Sequence, residues 1–177
     1  ILFTEQTSLL ALPVLNNRRS VWSLFQIWGV VILGNLAGGM LIALTVSWLG
    51  SGLNLFEAEV IAKIGEHFVD YDILTIFLSA IMAGWLMGLL SWLVTSSKET
   101  TAEILIIYLI TAVMGFTGLH HSIIGHIEIF AGMLVSDKIT FLVYLKTLVT
   151  ALAGNAVGAT VFVALLKYRA FVFNIKM

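Results

Sequence analysis

The sequence predicts an all-α integral membrane protein built as an inverted repeat, with some helices broken inside the bilayer. Three observations carry this: an extreme apolar composition, four runs long enough to span a membrane, and a glycine-asparagine motif that recurs in spans of opposite direction. The 177 residues are 60% hydrophobic and 11% charged, against roughly 45–50% apolar content in ordinary globular domains, and the mean hydropathy is +1.05. The net charge of −1 gives no reason to expect nucleic acid as a partner. The absence of cysteine removes disulfides, thiol chemistry and Cys-based metal sites.

The elements follow in order along a single membrane domain, 1–177. Residues 1–16 include "TSLLALPVL", apolar for too few residues to cross and interrupted by Pro13, and are expected to form a half-helix. Helices are expected over 20–49, 72–95, 101–135 and 139–169, each near or above the roughly 20 residues that span hydrocarbon. The third is expected to break around Gly115–Gly118, where two glycines bracket Phe116 and Thr117. Trp28 and Trp48, about 30 Å apart on one helix, are expected at the two interfaces, with Trp22 near the first. The chain opens on Ile1 mid-pattern, with no basic n-region or cleavage site, so upstream sequence is expected to be missing.

Charge orients the bundle. Residues 50–72 are read as one long acidic connection with Glu57, Glu59, Glu66, Asp70 and Asp72. Lys63, Lys138 and Lys146 fall on that side, while Arg18, Arg19, Lys98, Lys167, Arg169 and Lys176 collect on the other. The excess of basic residues predicts a cytoplasmic C-terminus.

"GNLAGGMLIALTV" (34–46) and "GNAVGATVFVALL" (154–166) share one pattern, 120 positions apart. The second copy lies three crossings after the first, so the two run in opposite directions. Inverted repeats of this kind build transporters and channels whose site sits where broken helices meet. Gly34, Asn35, Gly38, Gly154, Asn155 and Gly158 are expected to serve helix packing through small-xxx-small contacts. Upstream of each copy, Leu2-Phe3-Thr4 aligns with Leu119-His120-His121 at an offset of 117.

The stretch "TGLHHSIIGHIE" (117–128) puts three histidines and a carboxylate at membrane depth, where ionisable groups are costly and face a cavity or a partner. On one helix His121 and His126 differ by about 140°, and His120 and Glu128 by about 80° over about 12 Å, so this segment alone forms no metal cluster. His120 and His126 read as structural, His126 with an interfacial place as the alternative. His121 reads as a conduction site: neutral at rest, protonated as an anion approaches, then handing its proton over so that a neutral acid crosses the apolar constriction. Glu128 returns to nearly the face of His121 and reads as a proton relay, a gate partner or the salt-bridge partner of Lys146.

With "LFT" (2–4), the two GN pairs and "G-L-x-H-S" (118, 119, 121, 122) on one chain, the sequence resembles the formate/nitrite transporter family. The resemblance runs over essentially the whole chain. It implies an aquaporin-like bundle in the inner or plasma membrane with two broken helices, a homopentamer with one pore per protomer, no cofactor and no enzymatic activity. It also implies that the first helix and the first half of the second are absent here. By position it makes His121 the central pore histidine, Thr4 the threonine opposite it, and Leu2 and Phe3 the apolar residues of the constriction. Gly84, Met87 and Met114 stand where formate and nitrite channels carry asparagine, valine and phenylalanine, and Glu128 replaces an apolar residue. The implied function is passage of small monovalent anions of weak acids, proton-linked through His121. A non-conducting membrane-embedded binding or sensory protein on the same scaffold is the alternative.

Overall fold

The computed structural model describes residues 2–164. Among them there are seven helices and no strand: α1 (Phe3–Leu15), α2 (Val21–Gly52), α3 (Ala58–Val69), α4 (Ile73–Ser96), α5 (Thr100–Thr117), α6 (Ser122–Met133) and α7 (Phe141–Val157), the last continuing in π geometry over Gly158–Ala164. α2, α4, α5 and α7 are each long and apolar enough to cross a membrane, while α6, at 12 residues, is not. Lys167, Arg169 and Lys176, and the end of the span expected to residue 169, lie outside the described residues.

α4 sits at the centre, packed on α7, α1 and α5. Small residues make its contact with α7. A Cβ added to Gly84 would collide with the backbone of Asn155, one on Gly154 with Ala80 and the Phe77 carbonyl, and one on Gly158 with the Ile81 carbonyl. Apolar surface gains little by leaving lipid for protein, so close backbone approach of this kind supplies packing that a hydrophobic drive cannot. Gly84 is therefore a packing position facing α7, not a place on the cavity described below.

The packing expected of the first motif shifts by one residue. Among the described residues Gly34 and Gly38 have no atom near enough to touch an added Cβ, whereas Gly39 is buried and would press one into the His126 ring. Trp22 and Trp48 are 70% and 76% exposed, as interfacial residues would be. Trp28 is packed between helices: its ring meets Phe3 edge-on at 5.7 Å, within the cluster that holds α1 on α2.

The acidic connection expected over 50–72 contains a helix. α3 buries Ile61 and Gly65 and packs along α6, where Gly65 and Gly132 meet backbone to backbone with no room for a Cβ on either. Ile61, Gly65 and the half-buried Phe68 supply its inward stripe at helical spacing. Its charges point outward, with Lys63 paired to Glu59 at 2.7 Å and Glu66 to Lys138 at 2.8 Å.

α5 and α6 are two halves of one interrupted helix. Gly118, at φ 63°, caps α5 in the left-handed region that only glycine enters freely, and Leu119 to His121 cross to the start of α6.

Candidate functional site

Each half-helix begins inside the bundle, where no water can satisfy the first backbone N–H groups. The two asparagines of the repeated motif do so. Asn35 Oδ1 accepts the Phe3 N–H of α1, and Asn155 Oδ1 accepts the Ser122 N–H of α6, both at 2.8 Å. Asn155 also donates through Nδ2 to the carbonyls of Ala80 and His120 at 2.8 and 3.0 Å, tying the α5–α6 break to α4. These bonds fix the internal symmetry. Leu2 and His121 are the two N-cap residues, 119 positions apart, and the asparagines are 120 apart. The counterpart of His121 is thus Leu2, and the offset of 117 that paired it with Thr4 is corrected.

Thr4 meets His121 head-on instead. The two half-helix N-termini converge, and Thr4 Oγ1 lies 2.6 Å from His121 Nε2, both residues buried. His121 Nδ1 accepts the Ile124 N–H at 3.2 Å, capping α6. A backbone N–H can only donate, so Nδ1 carries no proton, and the neutral ring holds its one proton on Nε2, directed at Thr4. The geometry dictates the tautomer.

The other two histidines of the stretch bridge elements. His120 donates from Nε2 to the Phe68 carbonyl at 3.1 Å and has Nδ1 3.0 Å from Ser79 Oγ, joining the break to α3 and α4. His126 is fully buried, donates from Nε2 to the Leu36 carbonyl at 2.9 Å and accepts at Nδ1 from Tyr144 Oη at 2.8 Å. Neither has capacity left over. Among the described residues no three His, Asp or Glu side chains group closely enough to hold a metal ion.

A cavity of about 690 Å³ runs past His121. Leu2, Met87 and Met114 form its apolar wall beside the histidine. α5 and the break contribute Thr111 and Gly115 to Leu119, and α3 contributes Lys63, Ile64, His67 and Phe68. Ile124 and Glu128 follow His121 along α6 on the same wall. Phe3 and Thr4 lie behind it: Phe3 is packed on Trp28, and Thr4 reaches the cavity only through His121. Glu128 lines this cavity and does not pair with Lys146. That lysine is exposed on α7, beside Tyr71, Asp72 and Thr150 on a separate small cavity. Lys63 and His67 are wall residues that sequence reasoning passed over, because the segment carrying them was read as a loop; their i, i+4 spacing on α3 was the available signal.

The formate/nitrite transporter family model matches residues 1–169. The chain belongs to that family. It is 31% identical over 176 residues to the inner membrane protein YfdC of Escherichia coli strain K12, covering 94% of this chain and 54% of that protein. It is 24% identical over 174 residues to the uncharacterized transporter YrhG of Bacillus subtilis, with 96% and 64% covered. To the nitrite transporter NirC of Salmonella typhimurium it is 26% identical over 167 residues, with 93% and 61% covered. A solved structure described as an FNT family ion channel matches with a TM-score of 0.85 and 26% identity, over 96% of this chain and 68% of that one. The chain therefore spans a little over half to about two thirds of the relatives it matches. Membership and fold agree: an inverted-repeat helical bundle with discontinuous helices, as in the channel structure.

Proposed function

We propose that this chain forms the pore-bearing part of a channel or proton-coupled transporter for small monovalent anions of weak acids. The observation that carries the proposal is the Thr4–His121 contact at the meeting of two half-helices, with the histidine on the cavity wall. Family membership supports anion transport, and the name of the nitrite transporter relative points to the same substrate class.

At rest His121 is neutral and gives its Nε2–H to Thr4. A second proton can bind only at Nδ1, in exchange for the Ile124 N–H bond that caps α6. An anion arriving in the cavity stabilises the imidazolium, receives that proton from Nδ1, and continues as the neutral acid between Leu2, Met87 and Met114. Loss of the proton restores the cap. Each cycle moves one anion and one proton together, and the apolar wall never holds a bare charge, which would cost several kcal/mol there. Thr4 orients the ring by accepting at Nε2, so the labile proton stays on the cavity side. The protein acts in the inner or plasma membrane as a homopentamer, with its C-terminus cytoplasmic.

Stopped-flow light scattering of proteoliposomes holding the full-length protein tests this with formate, acetate, nitrite and hydrosulfide. Swelling with at least one, faster at acidic pH, is expected. Swelling with none would make the protein a non-conducting binding or sensory member of the family.

A further inference from the structure

We propose that His67 and Glu128 form a proton-loading pair on the outer part of the His121 cavity: they share one proton drawn from the aqueous side and pass it through cavity water to Nδ1 of His121. This rests on the transport function proposed above and names the source of the proton that the anion acquires.

Glu128 lies seven residues after His121 on one face of α6, about 10 Å along the axis, and both line the cavity. α3 runs antiparallel beside it: Ile61 and Ala131 share a cluster, Gly65 meets the backbone of Glu128 and Gly132, and the Phe68 ring meets Gly125. That register brings His67 onto the same wall at the level of Glu128, and the two side chains interact electrostatically. His67 is exposed and Glu128 half-buried, so the ring exchanges protons with bulk water while the carboxyl reaches the cavity. The neighbouring charges are engaged elsewhere. Lys63 is held by Glu59, Glu66 and Asp70 face Lys138, and Lys146 of α7 lines the separate cavity. Tyr71 Oη lies 3.4 Å from His67 Nε2 on the exposed side. His120 also feels the charge of His67, but its ring is bonded to Ser79 and the Phe68 carbonyl. Among the described residues α1, α2, α4 and α5 put no charged or titratable group on this wall.

With one proton between them the pair is neutral overall, either as imidazolium and carboxylate or as imidazole and carboxylic acid. It therefore leaves the cavity open to an anion. In the acid form the carboxyl O–H breaks, the proton moves along hydrogen-bonded water, and an N–H forms at His121 Nδ1. The carboxylate left behind takes the His67 proton, and His67 takes another from bulk water, so one proton enters for each that His121 gives to an anion. A file of about three waters spans the gap, and the cavity of about 690 Å³ has room for it.

The test follows formate influx into proteoliposomes of the full-length protein from pH 5 to pH 8. Glu128→Gln, equal in volume and unable to carry the proton, should match wild type at pH 5, where bulk water supplies protons directly, and fall about tenfold or more below it at pH 8. Imidazole equilibrated on both sides, a proton carrier small enough for the cavity, should restore most of the lost flux, with wild type as the control for its passage through lipid. Glu128→Asp should stay close to the wild-type profile. His67→Gln changes an exposed position and tests the pair even where Glu128→Gln fails to insert; it should lower flux over the same alkaline range, and the two losses should not multiply in the double variant. A wild-type profile in both single variants, or a loss equal at every pH that imidazole does not restore, would overturn the proton-loading pair alone. Absence of formate flux in wild type would overturn the transport function and the pair together.

Discussion

Asn35 and Asn155 perform one task twice: each side-chain oxygen accepts the first backbone N–H of a half-helix, Phe3 and Ser122, at 2.8 Å. Two helices can begin in the bundle interior because a side chain from a continuous span supplies the acceptor that water would supply elsewhere. Asn155 also donates to the Ala80 and His120 carbonyls and is fully buried. Asn155→Ala leaves those backbone groups without that partner and should lower stability by about 2–4 kcal/mol, read as a fall in the detergent-solubilised unfolding midpoint. A loss below about 0.5 kcal/mol would show that the break holds without it.

Gly84 of α4 and Gly34 of the first repeated motif differ in what surrounds them. Gly84→Ala sets a methyl against the Asn155 backbone and is expected to cost about 1–3 kcal/mol. Gly34→Ala meets nothing among the described residues and should leave the isolated protomer within about 0.5 kcal/mol of wild type. Thermal unfolding of the pair side by side measures the contrast.

Tyr144 anchors α7 to α6 by donating to His126 Nδ1 at 2.8 Å. Tyr144→Phe removes that donor while keeping the ring, with an expected cost of about 0.5–1.5 kcal/mol. Because His126 keeps its bond to Leu36 and lies outside the cavity beside His121, anion flux through the variant should remain near wild type.

At the membrane surface, stability should fall in acid. The Glu66 carboxyl is held below its ordinary range, first by the hydrogen bond from Lys138 and then by that from Ser136; Asp72, the N-cap of α4, is held below its own, first by the Thr75 hydroxyl. For a carboxylate whose folded value is depressed, the stabilisation is complete above the unfolded value and disappears as pH falls through the folded one. Unfolding midpoints should therefore be flat above the carboxylate range and decline below it, and Glu66→Gln with Asp72→Asn should remove part of that decline.

Spans, break and histidine were all legible in the sequence, because hydropathy, paired glycines and an ionisable cluster at membrane depth are local signals. α3 was hidden by its acidic surface, although 60, 61, 64 and 68 carried the helical period. Relations between distant elements left no local trace. Nothing in "LFT" says that Leu2 occupies the position of His121 while Thr4 faces it, nor that Gly84 meets α7 rather than the cavity. Trp28 has the spacing of an interfacial residue, and nothing local shows that its ring packs on Phe3. Glu128 and Lys146 had opposite charges, but the side chains face different cavities.

The central claim is that His121 passes a proton to the anion it conducts. The most direct measurement is formate-driven proton uptake into proteoliposomes, comparing wild type with His121→Phe, and Thr4→Val as a control for ring orientation. Uptake matched one to one with formate in wild type, abolished by His121→Phe and reduced about 10- to 100-fold by Thr4→Val, is the expected result. Proton-linked uptake that survives unchanged in His121→Phe at every pH would contradict it.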